Sequence, residues 1–242
     1  MNAEARSIAK DETPGIFSEI APRYDLLNHV LSLNIDRLWR RELVRMANVH
    51  KSGAVMDACT GTADVAIAFG KRLEYGTVAG VDMSDGMLGI GQSKLRKRGL
   101  SDRVKLFEGD ALALPFASAS FDAVTIAFGL RNLPDYSRGI REMVRTLKPR
   151  GRLLILEFCP PTGGLSLKAY SFYLQSVLPV VGGLVSGSRR AYEYLASSIG
   201  DFMTRDQLLA MLSSAGLEEV RARKLTGGIA YIYYGEKPNG AA

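Results

Sequence analysis

Two side chains at the end of one apolar run are placed where they could do chemistry. The stretch Phe121-Asp122-Ala123-Val124-Thr125-Ile126-Ala127-Phe128-Gly129-Leu130-Arg131-Asn132 reads at first as a strand buried on both faces. Such strands usually stop in Gly, Asp or Ser, because the loops that follow are solvated. Here the chain instead sets a guanidinium, Arg131, and a bifunctional amide, Asn132, where open α/β sheets bind ligands, beyond the carboxyl ends of the strands. A cation at that place can stabilise an oxyanion, and the amide can orient it or a water. The plainer alternative is a surface turn that caps the next helix, and this segment alone leaves both open.

Acidic residues stand at the ends of three other apolar runs. Asp57 begins the turn Asp57-Ala58-Cys59-Thr60-Gly61-Thr62-Ala63-Asp64, whose small residues would let a ligand approach backbone N–H groups at a helix N-terminus. The turn is not G-x-G-x-x-G, since Cys59 and Ala63 occupy two of the expected glycine positions. Asp82, within Gly80-Val81-Asp82-Met83-Ser84, is placed to take both hydroxyls of a ribose, and Asp110, followed by Ala111, to reach an adenine amino group. Asp57 would lie near a ligand's ammonium. Singly, each is better explained as a helix N-cap. Together, three carboxylates suit a cationic, phosphate-free nucleoside and would repel a pyrophosphate.

These residues must be positioned by a fold. From Ala54 the pattern alternates strand and helix. Strands are expected at Ala54–Cys59, Thr77–Val81, Val104–Glu108, Asp122–Phe128 and Arg152–Phe158, with helices near Asp64–Leu73, Asp85–Arg98 and Tyr136–Leu147. That order implies a mainly parallel sheet with helices on both faces. A last helix, Thr204–Ala215, precedes strands at Glu219–Leu225 and Ile229–Glu236 joined by Thr226-Gly227-Gly228, which predicts an antiparallel edge hairpin. Before the alternation, Thr13 to Val49 reads as two or three helices; after it, residues 160–200 read as a helical, apolar insertion. The expectation is one domain over residues 1–242: a helical cap (13–50), a cofactor-binding core (54–158), an apolar lid (160–200), and a terminal helix with its hairpin (204–237).

Composition narrows the class. The 242 residues are 47% hydrophobic and 23% charged, as in an ordinary globular protein. Cys59 and Cys159 sit in apolar runs and read as buried thiols rather than a disulfide or a metal site. No secretory signal is apparent, and the apolar window Tyr170–Val185 is too short and interrupted to span a bilayer, so a cytoplasmic protein is expected. The net charge of +6 gathers in Lys94-Leu95-Arg96-Lys97-Arg98 and through Arg138, Arg141, Arg145, Lys148, Arg150 and Arg152. Solvated helix faces explain this first and an anionic membrane surface second. Nucleic acid is disfavoured, because no aromatic residues interleave with the basic ones.

Residues 54–158, with Asp110-Ala111-Leu112-Ala113-Leu114-Pro115-Phe116 and Leu147-Lys148-Pro149-Arg150-Gly151-Arg152, resemble class I S-adenosylmethionine (AdoMet)-dependent methyltransferases. Four separated motifs narrow the resemblance to the quinone C-methyltransferase family. They are Tyr24-Asp25-Leu26-Leu27-Asn28 with Arg37-Leu38-Trp39-Arg40, Phe128-Gly129-Leu130-Arg131-Asn132, Tyr192 to Ile199, and Leu225-Thr226-Gly227-Gly228-Ile229-Ala230. The resemblance implies a Rossmann-like, seven-stranded fold and methylation of demethylmenaquinol, with a polyprenyl benzoquinol as the alternative ring or a second substrate. For the AdoMet site it implies Gly61 and Thr62 in the glycine turn, Asp82 with Met83 at the ribose, and Asp110-Ala111 at the adenine. A further family contact, often Ser, is Ala127 here, so contact would run through the backbone. The chain departs from the family pattern at His29, Asn34 and Asp36, where Asp, Gly and His are common, and at Phe202-Met203, where Phe-Pro is usual.

Methyl transfer to a ring carbon needs a reduced, electron-rich quinol whose deprotonated oxygen pushes charge onto that carbon. Neither His29 nor His50 is a persuasive base. Arg131 as a fixed cation would stabilise the oxyanion; a literal base role is opposed because a guanidinium keeps its charge in proteins. Asn132 and Tyr24 would orient the same oxygen, and the resemblance points to these three positions. The apolar stretch would line a channel for the prenyl chain and suit transient docking on the inner face of a membrane, and a homodimer is the oligomer kept open. A non-catalytic membrane-associated assembly protein and an RNA methyltransferase are the competing classes.

Overall fold

The computed structural model describes Ser32, residues 34–159 and residues 197–240. Tyr24, His29, the helices expected before Asn34 and the apolar stretch Tyr170–Val185 lie outside the described residues. Within them the chain runs α1 (Ile35–Ala47), β1 (Ala54–Ala58), α2 (Asp64–Arg72), β2 (Thr77–Asp82), α3 (Asp85–Lys97), β3 (Val104–Glu108), β4 (Phe121–Ala127), a 3₁₀ turn (Leu130–Asn132), α4 (Tyr136–Thr146), β5 (Leu147–Phe158), α5 (Arg205–Ser214), β6 (Glu218–Leu225) and β7 (Ala230–Glu236). The seven strands form one sheet in the order β3-β2-β1-β4-β5-β7-β6. Strands β1 to β5 are parallel, while β7 lies antiparallel to both β5 and β6, as the Gly-Gly connection predicts.

Period-two alternation sorts the strand residues onto two cores. Val55, Val78, Val104, Ala123, Leu154 and Ile232 face α1 and α2, with Trp39, Leu43 and Phe69. Met56, Val81, Val124, Ile126, Ile155 and Tyr233 face α4 and α5, with Ile140, Met143 and Leu212. Three of the helices, α3 to α5, start on a capping side chain. Ser84 Oγ accepts from the Met87 N–H, Asp135 from the Arg138 N–H, and Thr204 with Gln207 forms a capping box. The charged residues Arg221, Arg223 and Lys224 of β6 keep the open edge of the sheet from pairing with another chain.

One boundary differs from expectation by more than a single residue. Strand β5 begins at Leu147 rather than Arg152, because Leu147 already pairs with Phe121 before the register jumps to Ala123 opposite Arg152. The extra residues form a bulge in which Arg150 adopts φ 62°, so Lys148-Pro149-Arg150-Gly151 is a kink within a strand rather than a turn before one.

The chain runs outward from β1 to β2 and β3 on one side, and β4 returns to the other side of β1. The crevice at the carboxyl ends of β1 and β4 is therefore the topological switch point, where such sheets bind ligands.

Candidate active site

The turn after β1 has the backbone of a glycine-rich loop with fewer glycines. Cys59, Gly61 and Ala63 all take left-handed conformations, at φ 49°, 53° and 66°. For Cys59 and Ala63 this costs on the order of 1–2 kcal/mol each, so the missing glycines change the energy of the loop and not its course. At Gly61 an added Cβ would meet nothing within 4 Å, which leaves that backbone open to a ligand. Gly129 does the opposite: a Cβ there would lie 2.5 Å from the Cβ of Cys59. Gly129→Ala is expected to destabilise the fold by about 1–3 kcal/mol in denaturant titration. The double variant with Cys59→Gly, which removes the opposing Cβ and suits the left-handed backbone, should recover most of that loss. No recovery would contradict the assigned contact.

The three carboxylates read from the sequence gather around this turn. Asp57 is buried and accepts from the hydroxyls of Thr60 at 2.6 Å and Thr125 at 2.7 Å. Burial pushes its carboxyl up to about 6, against the pull of those two hydroxyls. Asp82 accepts from the Gly61 N–H at 2.7 Å and the Ser84 N–H at 2.9 Å, tying the end of β2 to the glycine turn; burial pushes its carboxyl up as well. Asp110 accepts from the Leu112 N–H at 2.8 Å, an Asx turn beyond β3 that leaves its other oxygen for a ligand. Buried Ala111 follows it, whereas Met83 is about half exposed. Thr62 accepts from Lys94 Nζ at 3.1 Å. The Cys59 thiol sits in the middle: burial first, then Asp82, Asp57, Asp110 and Glu157, push it well above the usual thiol range. A neutral thiol surrounded by carboxylates marks a pocket of negative potential, which favours a cationic ligand.

Across the switch point lies Arg131, in the 3₁₀ turn after β4. Phe128 enters that turn at φ 59°, and its carbonyl accepts from Arg131 Nη1 at 2.7 Å and from Asn132 Nδ2 at 3.4 Å. The expected cation is buried and is one half of an ion pair. Nη1 also donates to Glu157 Oε1 at 2.7 Å, and Nε to Ser198 Oγ at 3.3 Å. The guanidinium carbon stands 5.6 Å from the centre of the Phe158 ring. Glu157 is fully buried on β5 and was missed by the sequence reading. The signal was available, since a carboxylate in Leu153-Leu154-Ile155-Leu156-Glu157-Phe158 is as anomalous in a buried strand as an arginine at its end. The hydroxyls of Thr60, Thr125 and Ser198 left no such trace.

Motifs far apart in the chain meet at this place. Trp39 Nε1 donates to Thr226 Oγ1 at 2.8 Å, joining α1 to the hairpin connection. Trp39 also packs on Phe128 and Phe158, with ring centroids 6.2 and 6.1 Å away. Ser198, from the third motif, reaches Arg131. The family departures have local explanations too. Asn34 holds φ 62°, the conformation a glycine would supply, and buried Asp36 is paired with Arg40. Phe202 packs edge-on to Tyr136 at 5.6 Å.

Much of the basic surface is engaged within the fold. Arg138 and Arg145 donate to the carbonyls of Leu112, Phe116 and Leu114, Arg152 to those of Ala47 and Asn48, and Lys148 pairs with Asp122. A groove of about 440 Å³ bordered by His50, Lys148 and Arg150 lies at the amino ends of the strands, away from the carboxylates. Among the described residues no helix is long and apolar enough to cross a membrane.

The chain is 46% identical over 223 residues to the demethylmenaquinone methyltransferase of Thermus thermophilus, covering 92% of this chain and 100% of that protein. It is 44% identical over 223 residues to the ubiquinone/menaquinone biosynthesis C-methyltransferase UbiE of Geobacter sulfurreducens, covering 92% and 87%. A SAM dependent methyltransferase from Aquifex aeolicus superposes with TM-score 0.61 at 17% identity, over 81% of this chain and 88% of that one. The [4+2]-cyclase SpnF superposes with TM-score 0.72 at 19% identity, over 97% and 98%. At these identities the likeness to solved structures is one of fold, and a cyclase on the same fold shows that the fold does not choose the chemistry. The sequence relationship is narrower: the model of the ubiE/COQ5 methyltransferase family matches residues 6–237. The chain belongs to the ubiE/COQ5 methyltransferase family.

Proposed function

We propose that the chain is an AdoMet-dependent C-methyltransferase acting on the reduced ring of a polyprenylated quinol, with demethylmenaquinol as its substrate. The observation that carries the reading is the meeting, at one switch point, of three carboxylates around an open glycine turn with a buried arginine. AdoMet supplies a methyl group on a sulfonium. Asp82 takes the ribose hydroxyls, Asp110 with Ala111 the adenine, Asp57 the ammonium, and the backbone of Gly61, Thr62, Met83 and Ala127 completes the cradle. These carboxylates repel a pyrophosphate and suit a nucleoside of net positive charge. Arg131 stabilises the quinol oxyanion, and Asn132 and Tyr24 orient it. Bound AdoMet would supply the methyl group to the carbon beside that oxygen, its S–CH₃ bond breaking to leave a neutral thioether, and the ring proton would pass to water.

The benzoquinol is the second reading, favoured by the joint ubiquinone/menaquinone name of the Geobacter relative. The protein docks on the anionic inner face of the membrane to reach a substrate held in the bilayer, with no nucleic-acid partner, and a homodimer is compatible with this arrangement. Labelled AdoMet offered with demethylmenaquinol, the benzoquinol and bulk tRNA, side by side, tests the reading. Label in a quinol is expected; label in RNA alone, or no AdoMet binding, would defeat it.

A pH dependence follows for cofactor binding. Asp57, with its carboxyl near 6, must lose a proton to receive an ammonium. AdoMet affinity should therefore fall as pH drops below about 6, approaching tenfold per unit, and Asp57→Asn should flatten that slope in calorimetric titrations. The same carboxyl acts on stability with the opposite sense. Being raised from 3.8, it makes the ligand-free fold lose stability as pH climbs from about 4 to about 6, with no further change above.

A further inference from the structure

We infer that Glu157 is a positioning residue for methyl transfer, orienting the Arg131 guanidinium and balancing its charge; this rests on the proposed role of Arg131. The geometry leads there from several directions. Glu157 Oε1 accepts from Arg131 Nη1 at 2.7 Å, and Oε2 accepts from the Arg131 backbone N–H at 3.4 Å, so one carboxylate holds both ends of the residue. It is itself anchored by the Phe158 N–H at 3.0 Å. The Phe128 carbonyl, Ser198 and the Phe158 ring hold other parts of the same guanidinium. Among the described residues Nη2 takes no partner, which leaves an edge of two N–H donors for a substrate oxygen.

A buried ion pair is an expensive way to stabilise a fold, since well-packed apolar residues of the same volume often do as well or better. Its presence at the switch point is explained if the orientation of Arg131 matters to the reaction. The charge matters equally. Among the described residues, the ionisable side chains that act on or feel Glu157 are Arg131 from the 3₁₀ turn, Cys59 just after β1 and Tyr233 from β7, and Tyr231 is its register partner on β7. Burial raises the thiol of Cys59 and the phenol of Tyr233, so neither adds a negative charge beside the pair near neutral pH. Burial also raises the Glu157 carboxyl, against the pull of Arg131 and two backbone N–H groups.

The test compares Glu157→Gln and Glu157→Asp in the full chain, with kcat followed against pH at saturating AdoMet and quinol. Thermal unfolding and AdoMet titration serve as checks on folding. Both variants should lose about tenfold to a hundredfold of plateau kcat, the scale of a misplaced catalytic group. They should part in pH dependence. Glu157→Gln leaves the arginine uncompensated, lowers the bound hydroxyl's pKa and moves the acid limb down by about one unit. Glu157→Asp keeps the carboxylate and leaves the limb in place. Wild-type plateau rates in a folded variant, or losses that vanish at saturating AdoMet with an unmoved limb, would overturn the inference. If Glu157→Gln does not fold, the Glu157→Asp plateau rate alone decides. Full activity in Arg131→Ala would instead overturn the reading on which this one rests.

Discussion

Replacing Arg131 with alanine is expected to lower kcat for quinol methylation by about a hundredfold to a thousandfold, the cost of removing a preorganised group that meets charge developing in the transition state. AdoMet affinity should change little, because the proposed cofactor contacts are Asp57, Asp82 and Asp110 and not Arg131. Truncation also strands the Glu157 carboxylate in a fully buried position, at a cost of about 3–5 kcal/mol in stability. Activity must therefore be referred to folded protein, measured by thermal unfolding of the same sample. Arg131→Lys separates charge from shape. It keeps a cation but loses the planar fork that engages Phe128, Glu157 and Ser198 at once, so its rate should fall between those of alanine and wild type. A lysine variant as slow as alanine would make orientation the whole effect. A near-wild-type alanine variant would remove Arg131 from the mechanism.

The second large effect is on the cofactor. Asp82→Ala is expected to weaken AdoMet binding by about a hundredfold or more, since charge-assisted hydrogen bonds contribute on the order of 1.5–3 kcal/mol each. Two losses act in the same direction. The ribose hydroxyls lose their acceptor, and the glycine turn loses the carboxylate that accepts from Gly61 and Ser84. Asp82→Asn, which keeps one acceptor oxygen, should fall between. Calorimetry decides, and an alanine variant binding within threefold of wild type would mean that the ribose is held elsewhere.

The fold was legible because its physics is periodic. Two-sided apolar runs alternating with helical spacing set the parallel sheet, and Gly227-Gly228 marked the hairpin. What escaped was non-periodic. The bulge that lengthens β5 depends on a register shift opposite Phe121, which no local pattern announces. At the site, residue types were enough to select Asp57, Asp82, Asp110 and Arg131, because charge at the end of a buried strand needs a reason. Their partners were less visible. Thr60, Thr125 and Ser198 are ordinary hydroxyl residues in sequence, and only the packing of three strands and a distant helix makes them hydrogen-bond donors and acceptors for the charges. Glu157 stood inside an apolar strand and could have been found by the logic that selected Arg131. The three left-handed residues of the glycine turn teach a similar lesson: Cys59 and Ala63 hide a loop whose backbone is intact.

In the proposed reaction an oxyanion of the reduced ring, stabilised at Arg131, attacks the methyl group. Single-turnover transfer of labelled methyl from AdoMet to demethylmenaquinol, run in parallel with the oxidised quinone and with Arg131→Ala, tests it most directly. Rapid label transfer to the reduced ring by the wild type, none to the oxidised ring, and a burst slowed about a hundredfold or more in the variant are predicted. Equal labelling of oxidised and reduced rings, or an unslowed burst without Arg131, would contradict it.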